Sequence, residues 1–368
     1  MPQLQRVLTD KSALNHSVLD TSPLAPAAAG EAILRLGRAA LTTNNITYAA
    51  FGEAMQYWNF FPTGREGWGH MPVWGFADVV ESTVDGVEPG ERFYGYFPLA
   101  SHLRMQPVRV SERGFYDGAA HRLSLVSAYN QYTRASHDAA YRAADENHQM
   151  LLRPLFITSF MLADFLHDNA FFGARRLVVS SASSKTAYGT AFCLEGMKEV
   201  ELVALTSAGN RAFVEGLGCY QRTVSYDELS TLDASSPTLY VDFSGDEALR
   251  ERVHQHFGGA LVYDCFAGSA QNTEFLREKE LPGPKPEFYF APVQIRKRNA
   301  DWGHAEVNRR FNEAQLAFIR RVADGPKAWM KVEEHQGLEA AQDLIAELCA
   351  GRIDPKLGHV VVLDGTAS

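Results

Sequence analysis

The sequence predicts an α/β protein of two domains, one β-rich and one built on a doubly wound, mostly parallel sheet. Three observations predict it. At 368 residues the chain exceeds what a single hydrophobic core usually organises. Its first 110 residues are short apolar runs separated by Gly, Pro and Asn turns. From residue 155 onward strand-like runs alternate with helical stretches, the sequence form of right-handed β-α-β crossovers.

Taken in order, EAILRLGRAAL alternates as a strand does, TTNNITYA interrupts it as a loop, and PVWGFADVVES resumes before DGVEPGERFYGYFPLASHLRMQPV, rich in turns and aromatics. Residues 111–150 are polar and helix-capable with little apolar periodicity, which reads as a connecting arm or insertion. A helix, PLFITSFMLADFLHDN, then opens the second domain. Next come the strand RRLVVSSA and the helix KTAYGTAFCLEG, with Tyr188, Ala191, Phe192 and Cys193 on helical spacing. Strand VELVALTS, helix NRAFVEGLG, strands QRTVSY and PTLYVDFSG, helix EALRERVHQHFG and strand GALVYDCFAG follow, and EFYFAPV suits a closing edge. The helical tail ends in the β run of GRIDPKLGHVVVL and returns to the first domain. The expected boundaries are 1–150 with 325–368, and 151–324.

Composition excludes several function classes. A net charge of -9 and a pI near 5.8 argue against nucleic acid, whose phosphates require a basic face. The N-terminus lacks an apolar signal core, and Asp164 interrupts the longest apolar run short of a bilayer span, so a cytoplasmic protein without a membrane partner is expected. Cys193, Cys219, Cys265 and Cys349 are too scattered for a disulfide framework or a C-x-x-C metal pair. His254 and His256 read as a solvated helix face or a C-terminal cap, and no metal site is expected.

The order of motifs resembles the medium-chain dehydrogenase/reductase superfamily, in particular its zinc-independent, quinone-oxidoreductase-like branch. AALTTNNITYA is similar to the A-x-G-I-N-P-x-D loop, with Asn44, Asn45 and Thr47 on its Asn, Pro and Asp. Pro89-Gly90-Glu91-Arg92 and Gly95 match the P-G-D-R-V-x-G stretch, PTLYVDFSG resembles V-F-D-x-V-G, and GLEAAQDLIAELCAGRIDPKLGHVVVL resembles the closing L-x-x-A…G-K-V-V-L. The resemblance implies a GroES-like β domain plus a Rossmann domain, a dinucleotide cofactor and a possible homodimer. Zinc-dependent members carry a catalytic Cys and a Gly-His-Glu. Here no cysteine precedes Cys193, and Val73-Trp74-Gly75-Phe76 stands at the matching place, so a catalytic zinc is not expected.

The glycine-rich turn of such domains is replaced by Ala182-Ser183-Ser184-Lys185-Thr186. Glycines let the backbone approach a pyrophosphate at a helix N-terminus. Ser183, Ser184 and Thr186 instead offer hydroxyls and N-caps, and Lys185 opposes the helix dipole unless an anion lies near it. A phosphate site and a plain helix cap both account for these residues. Neither a Walker loop nor a nucleophile elbow fits, since Val179 and Ser184 fill the Walker glycine positions and no Gly-x-Ser-x-Gly occurs. No carboxylate lies between Val203 and Arg211, where an Asp or Glu would take the ribose hydroxyls of NAD. Ser207, Asn210 and Arg211 suit a 2'-phosphate, hence NADP(H). Gly245 and Ala267-Gly268-Ser269 fall where the resemblance places the nicotinamide ribose, and they equally fit ordinary turns.

For substrate chemistry the candidates are Asn45, Thr47 and Tyr48. A tyrosine is suited to donating a proton to a developing enolate, while Trp58 and Phe60 read as packing. The resulting expectation is an NADP(H)-dependent, zinc-free reductase of a quinone or an activated C=C or carbonyl substrate. The alternative is a non-catalytic nucleotide-binding or accessory protein that keeps the fold.

Overall fold

The computed structural model describes residues 2–268 and 280–363. It divides into two compact units, Met1–Leu151 with Met330–Ser368, and Leu152–Trp329. The first unit carries β1 (Gln3–Asp10), β2 (Ala13–Pro23), β3 (Ala32–Leu41), helix α1 (Thr43–Ala50), β4 (Trp68–Gly69), β5 (Pro72–Ser82), β6 (Arg92–Pro98), β7 (His102–Met105), β8 (Pro107–Ser111), β9 (Gly114–Asp117) and β10 (Gln131–Arg134). The division falls within α2 (Glu146–Asp168). The second unit holds β11 (Arg176–Val179), α3 (Lys185–Leu194), β12 (Glu201–Thr206), α4 (Arg211–Leu217), β13 (Arg222–Ser225), β14 (Thr238–Asp242), α5 (Glu247–Phe257), β15 (Leu261–Phe266), β16 (Glu287–Phe288), α6 (Ala291–Trp302) and α7 (His304–Ala323). The chain then returns to the first unit as β17 (Lys331–Gln336), α8 (Gly337–Cys349) and β18 (Leu357–Val362).

In the first unit a small sheet, β2-β1-β4, accompanies a larger one ordered β17-β18-β3-β5-β6-β10-β9-β8, with β7 also on β3. Helix α8 joins the parallel pair β17 and β18, and β18 runs antiparallel to β3 with Ala40 opposite Val360. Leu338, Ala341, Leu344, Ile345 and Leu348 form the buried stripe of α8. They share a core with Leu34, Val73, Phe93, Phe97, Phe115 and Tyr132. Gly95 is required by that packing, because a Cβ there would lie 2.4 Å from the Tyr132 ring.

Two expectations for this unit need correction. TTNNITYA is a helix rather than a loop, because Thr42 caps it: the Asn44 N–H donates to the Thr42 hydroxyl and the Asn45 side chain reaches back to the Thr42 N–H. Residues 111–150 are not a polar arm. They include β9 and β10, whose Phe115 and Tyr132 belong to the core, and buried Arg122 paired with Asp117 at 2.6 Å. Short strands carrying a buried ion pair have neither apolar periodicity nor low polarity, so the segment mimics a surface connection.

The second unit is a parallel sheet ordered β13-β12-β11-β14-β15-β16. Numbered by appearance within the sheet, that is 3-2-1-4-5-6, the Rossmann order. EFYFAPV supplies the edge strand β16 and then opens α6. Central strands are buried on both faces, with Val178, Val203, Leu205 and Tyr240 in one core with Leu249, Val253 and Phe257 of α5. Phe156 of α2 stacks on Phe318 of α7 at 4.4 Å.

Among the described residues one helix, 143–168, is long and apolar enough by composition to cross a membrane. Half of its apolar window is buried within the protein, and Asp164 does not stop it, because Arg298 holds that carboxylate at 2.6 Å. A buried core helix meets the same compositional test.

Candidate functional site

The turn between β11 and α3 sits at the C-terminal end of the central strand. Ser181 takes a left-handed backbone, φ +46°, which glycine adopts without strain, and its N–H reaches the Tyr226 hydroxyl at 3.3 Å. The tight turn therefore exists without glycine. Ser184 caps α3, its hydroxyl accepting from the Ala187 N–H at 3.3 Å, so the capping reading holds for that residue. Ser183 is buried, and Asn210 donates to its hydroxyl at 3.1 Å, joining the loop to the turn after β12. Ser184, Lys185 and Thr186 are all half-buried at the helix start, where backbone N–H groups lack intrahelical partners.

Ser207 and Asn210 lie in the turn that follows β12. Arg211 opens α4, but its guanidinium is engaged by Glu215 at 2.9 Å and Glu228 at 2.7 Å. Those two carboxylates hold its pKa above the usual range, Glu215 most strongly. Glu228 is held below its ordinary value, first by the Ser225 N–H and then by Arg211. The strand end has no carboxylate of its own, yet Glu228 brings one from the next turn, a contribution invisible to reading β12 alone.

Gly245 has φ +67°, and its N–H donates to Asp242 Oδ1 at 3.1 Å; the N–H groups of Ala267 and Gly268 donate to the Asp242 carbonyl at 2.9 and 3.2 Å. Ser269 lies outside the described residues. Asp242 thus links the ends of three strands. Its Oδ1 also accepts from Ser180 at 2.9 Å and from the Ser244 N–H and hydroxyl at 2.8 and 2.7 Å, while Oδ2 meets Arg250. Arg250 and His254 stand one turn apart on α5 and are both buried, as is Asp264, which approaches His254 Nε2 at 2.7 Å. Burial raises the Asp264 carboxyl above the usual range. His254 Nδ1 faces the Pro282 carbonyl at 2.8 Å and so carries a proton there. The expectation that His254 and His256 form a solvated face is therefore wrong for His254, which is fully buried; His256 meets the Leu232 carbonyl at 2.9 Å. The signal for this network was the i, i+4 spacing of Arg250 and His254 facing two strand aspartates, Asp242 and Asp264.

In the first unit the three catalytic candidates lie on α1. Asn45 is buried, and its amide closes the helix cap while donating to the Pro72 carbonyl at 2.7 Å. Thr47 donates back to the Thr43 carbonyl at 3.3 Å. Tyr48 alone turns into an aromatic cluster of Tyr57, Phe60, Phe61, Trp74, Tyr96 and Tyr129. Its hydroxyl accepts from Trp74 Nε1 at 3.2 Å, and its ring lies 4.8 Å from Tyr57 and 5.5 Å from Tyr96. Burial pushes the Tyr48 phenol up to about 12, so it stays protonated at neutral pH and keeps a hydrogen to donate. Tyr57 and Tyr129 hydroxyls meet at 3.3 Å. Tyr96 and Tyr129 were missed, Tyr129 because its segment read as a connecting arm. Trp58 and Phe60 are buried packing residues, as expected.

No metal site was expected from the sequence, yet a set of candidate donor atoms stands on β17 and β18. Among the described residues Glu333, His335 and His359 bring one donor atom each within 4.8 Å of the others. Strand-borne residues far apart in sequence give no spacing signal.

The GroES-like β domain and the Rossmann domain give the fold of the medium-chain dehydrogenase/reductases, zinc-independent quinone reductases among them, as the order of motifs implied. A family model described as "Protein of unknown function (DUF2855)" matches residues 39–354, and the chain belongs to that family. Solved structures with this fold include CurA from Vibrio vulnificus in complex with NADPH, at TM-score 0.60 and 14% identity over 98% of this chain and 99% of that one. The yhdH oxidoreductase from Salmonella enterica in complex with NADP aligns at TM-score 0.52 and 14% identity over 99% and 100%. A putative NADPH:quinone reductase from Bacillus thuringiensis aligns at 0.54 and 11% over 99% and 100%. No curated protein matches the sequence.

Proposed function

We propose that the protein is an NADP(H)-dependent oxidoreductase that reduces a quinone or an activated C=C or carbonyl substrate without a catalytic zinc. The observation that carries this reading is the turn from β11 to α3, which keeps the left-handed residue, the capped helix start and the bond to Asn210 with no glycine present. Ser183, Ser184, Lys185 and Thr186 would hold the pyrophosphate, with Ser207, Asn210 and Arg211 at the 2'-phosphate and Gly245, Ala267 and Gly268 along the nicotinamide half. NADPH, when bound, supplies the hydride. The neighbours solved with NADPH and NADP support the cofactor, and the absence of a cysteine before Cys193 supports zinc independence.

Within the first unit Tyr48 donates a hydrogen bond, and then a proton, to the oxygen on which negative charge develops. Trp74 Nε1 donates to the same phenol and so leaves its hydrogen to point elsewhere. The surrounding rings exclude water and present flat faces suited to a planar, conjugated substrate. Asn45 and Thr47 position α1 rather than touch substrate, since their polar groups are engaged locally.

Titration of the purified protein with NADPH and NADH, followed by turnover with quinones and enones, tests the reading. NADPH binds more tightly and is oxidised when an acceptor is added. Tyr48→Phe lowers kcat by about 100-fold with NADPH affinity unchanged, the low end of a general acid's contribution. Equal affinity for both nucleotides overturns the 2'-phosphate assignment. The ion pairs that occupy Arg211 favour a second reading, a nucleotide-binding protein without turnover, which binds NADPH but reduces none of the acceptors.

A further inference from the structure

We propose that Glu333, His335 and His359 form a binding site for one divalent transition-metal ion of the zinc type. The three residues come from the strand pair β17 and β18, within the first unit. Glu333 and His335 are two residues apart on β17 and so project from one face. His359 is the β18 partner of Glu333 in the parallel register, which brings it to the same face beside both. Adjacent strands hold these three positions without any loop, the rigid support a metal site needs.

The donor geometry is close to a coordination shell already. His335 Nε2 and His359 Nδ1 stand 3.0 Å apart, and His359 Nδ1 lies 3.6 Å from a Glu333 carboxylate oxygen. Ligands at the usual zinc distances of about 2.0–2.2 Å on a tetrahedron are roughly 3.3–3.6 Å from one another. The His359–Glu333 separation lies at the upper end of that range, and the two imidazole nitrogens stand just short of it, close enough to open onto a shared ion. With no ion, a single shared proton must serve the two facing imidazole nitrogens, whereas an ion at their meeting point takes a lone pair from each.

Two imidazoles and one carboxylate select a borderline ion over magnesium or calcium, which favour oxygen-rich shells. His359 is buried, His335 half-buried, and the Glu333 side chain 46% exposed, so the site is open on one side to a water ligand. Glu333 has the freedom to close the remaining edge. These residues share no position with the Cys and Gly-His-Glu places of zinc-dependent relatives, and the site does not depend on the cofactor reading. An ion here clips the edge strand β17 to β18.

The full chain, stripped with EDTA and dialysed, is titrated with Zn²⁺ by calorimetry and with Co²⁺ by visible absorption. One ion binds per chain, Zn²⁺ raises the melting temperature, and millimolar Mg²⁺ does not compete. His335→Ala removes a ligand and weakens Zn²⁺ by more than the roughly 10–100-fold that loss of an outer partner costs. Glu333→Gln, a conservative change at a half-exposed side chain, weakens binding severalfold with circular dichroism unchanged, and this variant decides the matter if His335→Ala fails to fold. No saturable binding, binding retained in His335→Ala, wild-type affinity in Glu333→Gln, or effective competition by Mg²⁺ each overturns the proposal.

Discussion

Lys185 occupies the first turn of α3, where a cation opposes the helix dipole by roughly 0.3–1 kcal/mol. If it contacts a cofactor phosphate, Lys185→Ala removes a charge-assisted contact of about 1.5–3 kcal/mol, a 10- to 150-fold loss of NADPH affinity. The melting temperature without cofactor stays level or rises, because alanine is the better helix former. Unchanged affinity in a fluorescence titration reduces the serine loop to a helix cap. Arg211 allows a complementary test from the other side. Glu228→Gln preserves the hydrogen bond to the Ser225 N–H but withdraws a carboxylate from the guanidinium that a 2'-phosphate must win. NADPH affinity should then rise by up to about fivefold, an exposed pair being weak, while NADH affinity stays put. A parallel gain for NADH would place Arg211 away from the 2'-phosphate.

At the scale of elements, the order of strands and helices was legible in the sequence, because buried central strands such as LVV and LYV are continuous apolar runs and turn residues bound them. What was not legible lies in cross-strand partnerships. Asp242 reads as one acidic residue at a strand end, yet it receives hydrogen bonds from Ser180 just beyond β11, from its own turn and from α5. Tyr129 and Tyr132 looked like members of a polar arm because Arg122, Asp117 and Asn130 satisfy one another out of water. Likewise TTNNITYA carries too little apolar periodicity for a helix, and its cap decides. Asp242→Asn keeps an acceptor for Ser180 and Ser244 but leaves buried Arg250 without its main counter-charge. That loss should cost about 3–5 kcal/mol in urea unfolding, as for other broken buried pairs. A cost under about 1 kcal/mol would show that Asp264, 3.9 Å from Arg250, suffices in its place.

For the molecule as a whole, acid stability is set in part by His70, between β4 and β5 and buried. Burial, reinforced by Arg6, pushes this imidazole down to about 4, and its Nδ1 has no hydrogen-bond partner among the described residues. Above about pH 6.5 the group is neutral in both folded and unfolded chains, and its stability contribution is complete. As the pH falls towards 4 the unfolded chain takes the proton first, so on the order of 3 kcal/mol is lost across that window. Unfolding free energies measured from pH 7 to 4 should fall accordingly, and His70→Leu should flatten that part of the profile. A slope unaltered by the substitution assigns the acid sensitivity to other groups.

The return of β18 to β3 has a consequence during biosynthesis. Ala39 and Ala40 of β3 wait for Val361 and Val360, so this end of the strand, beyond the stretch that β7 pairs, lacks that partner until nearly the whole described chain has left the ribosome. At about 5–20 residues per second that interval is roughly 15–60 s. The parallel-sheet unit, encoded without interruption between the two halves, is free to fold on the nascent chain meanwhile. Exposed apolar β3 is therefore a natural stretch for a ribosome-associated chaperone to shield, and synonymous codons that slow translation after residue 329 prolong its exposure.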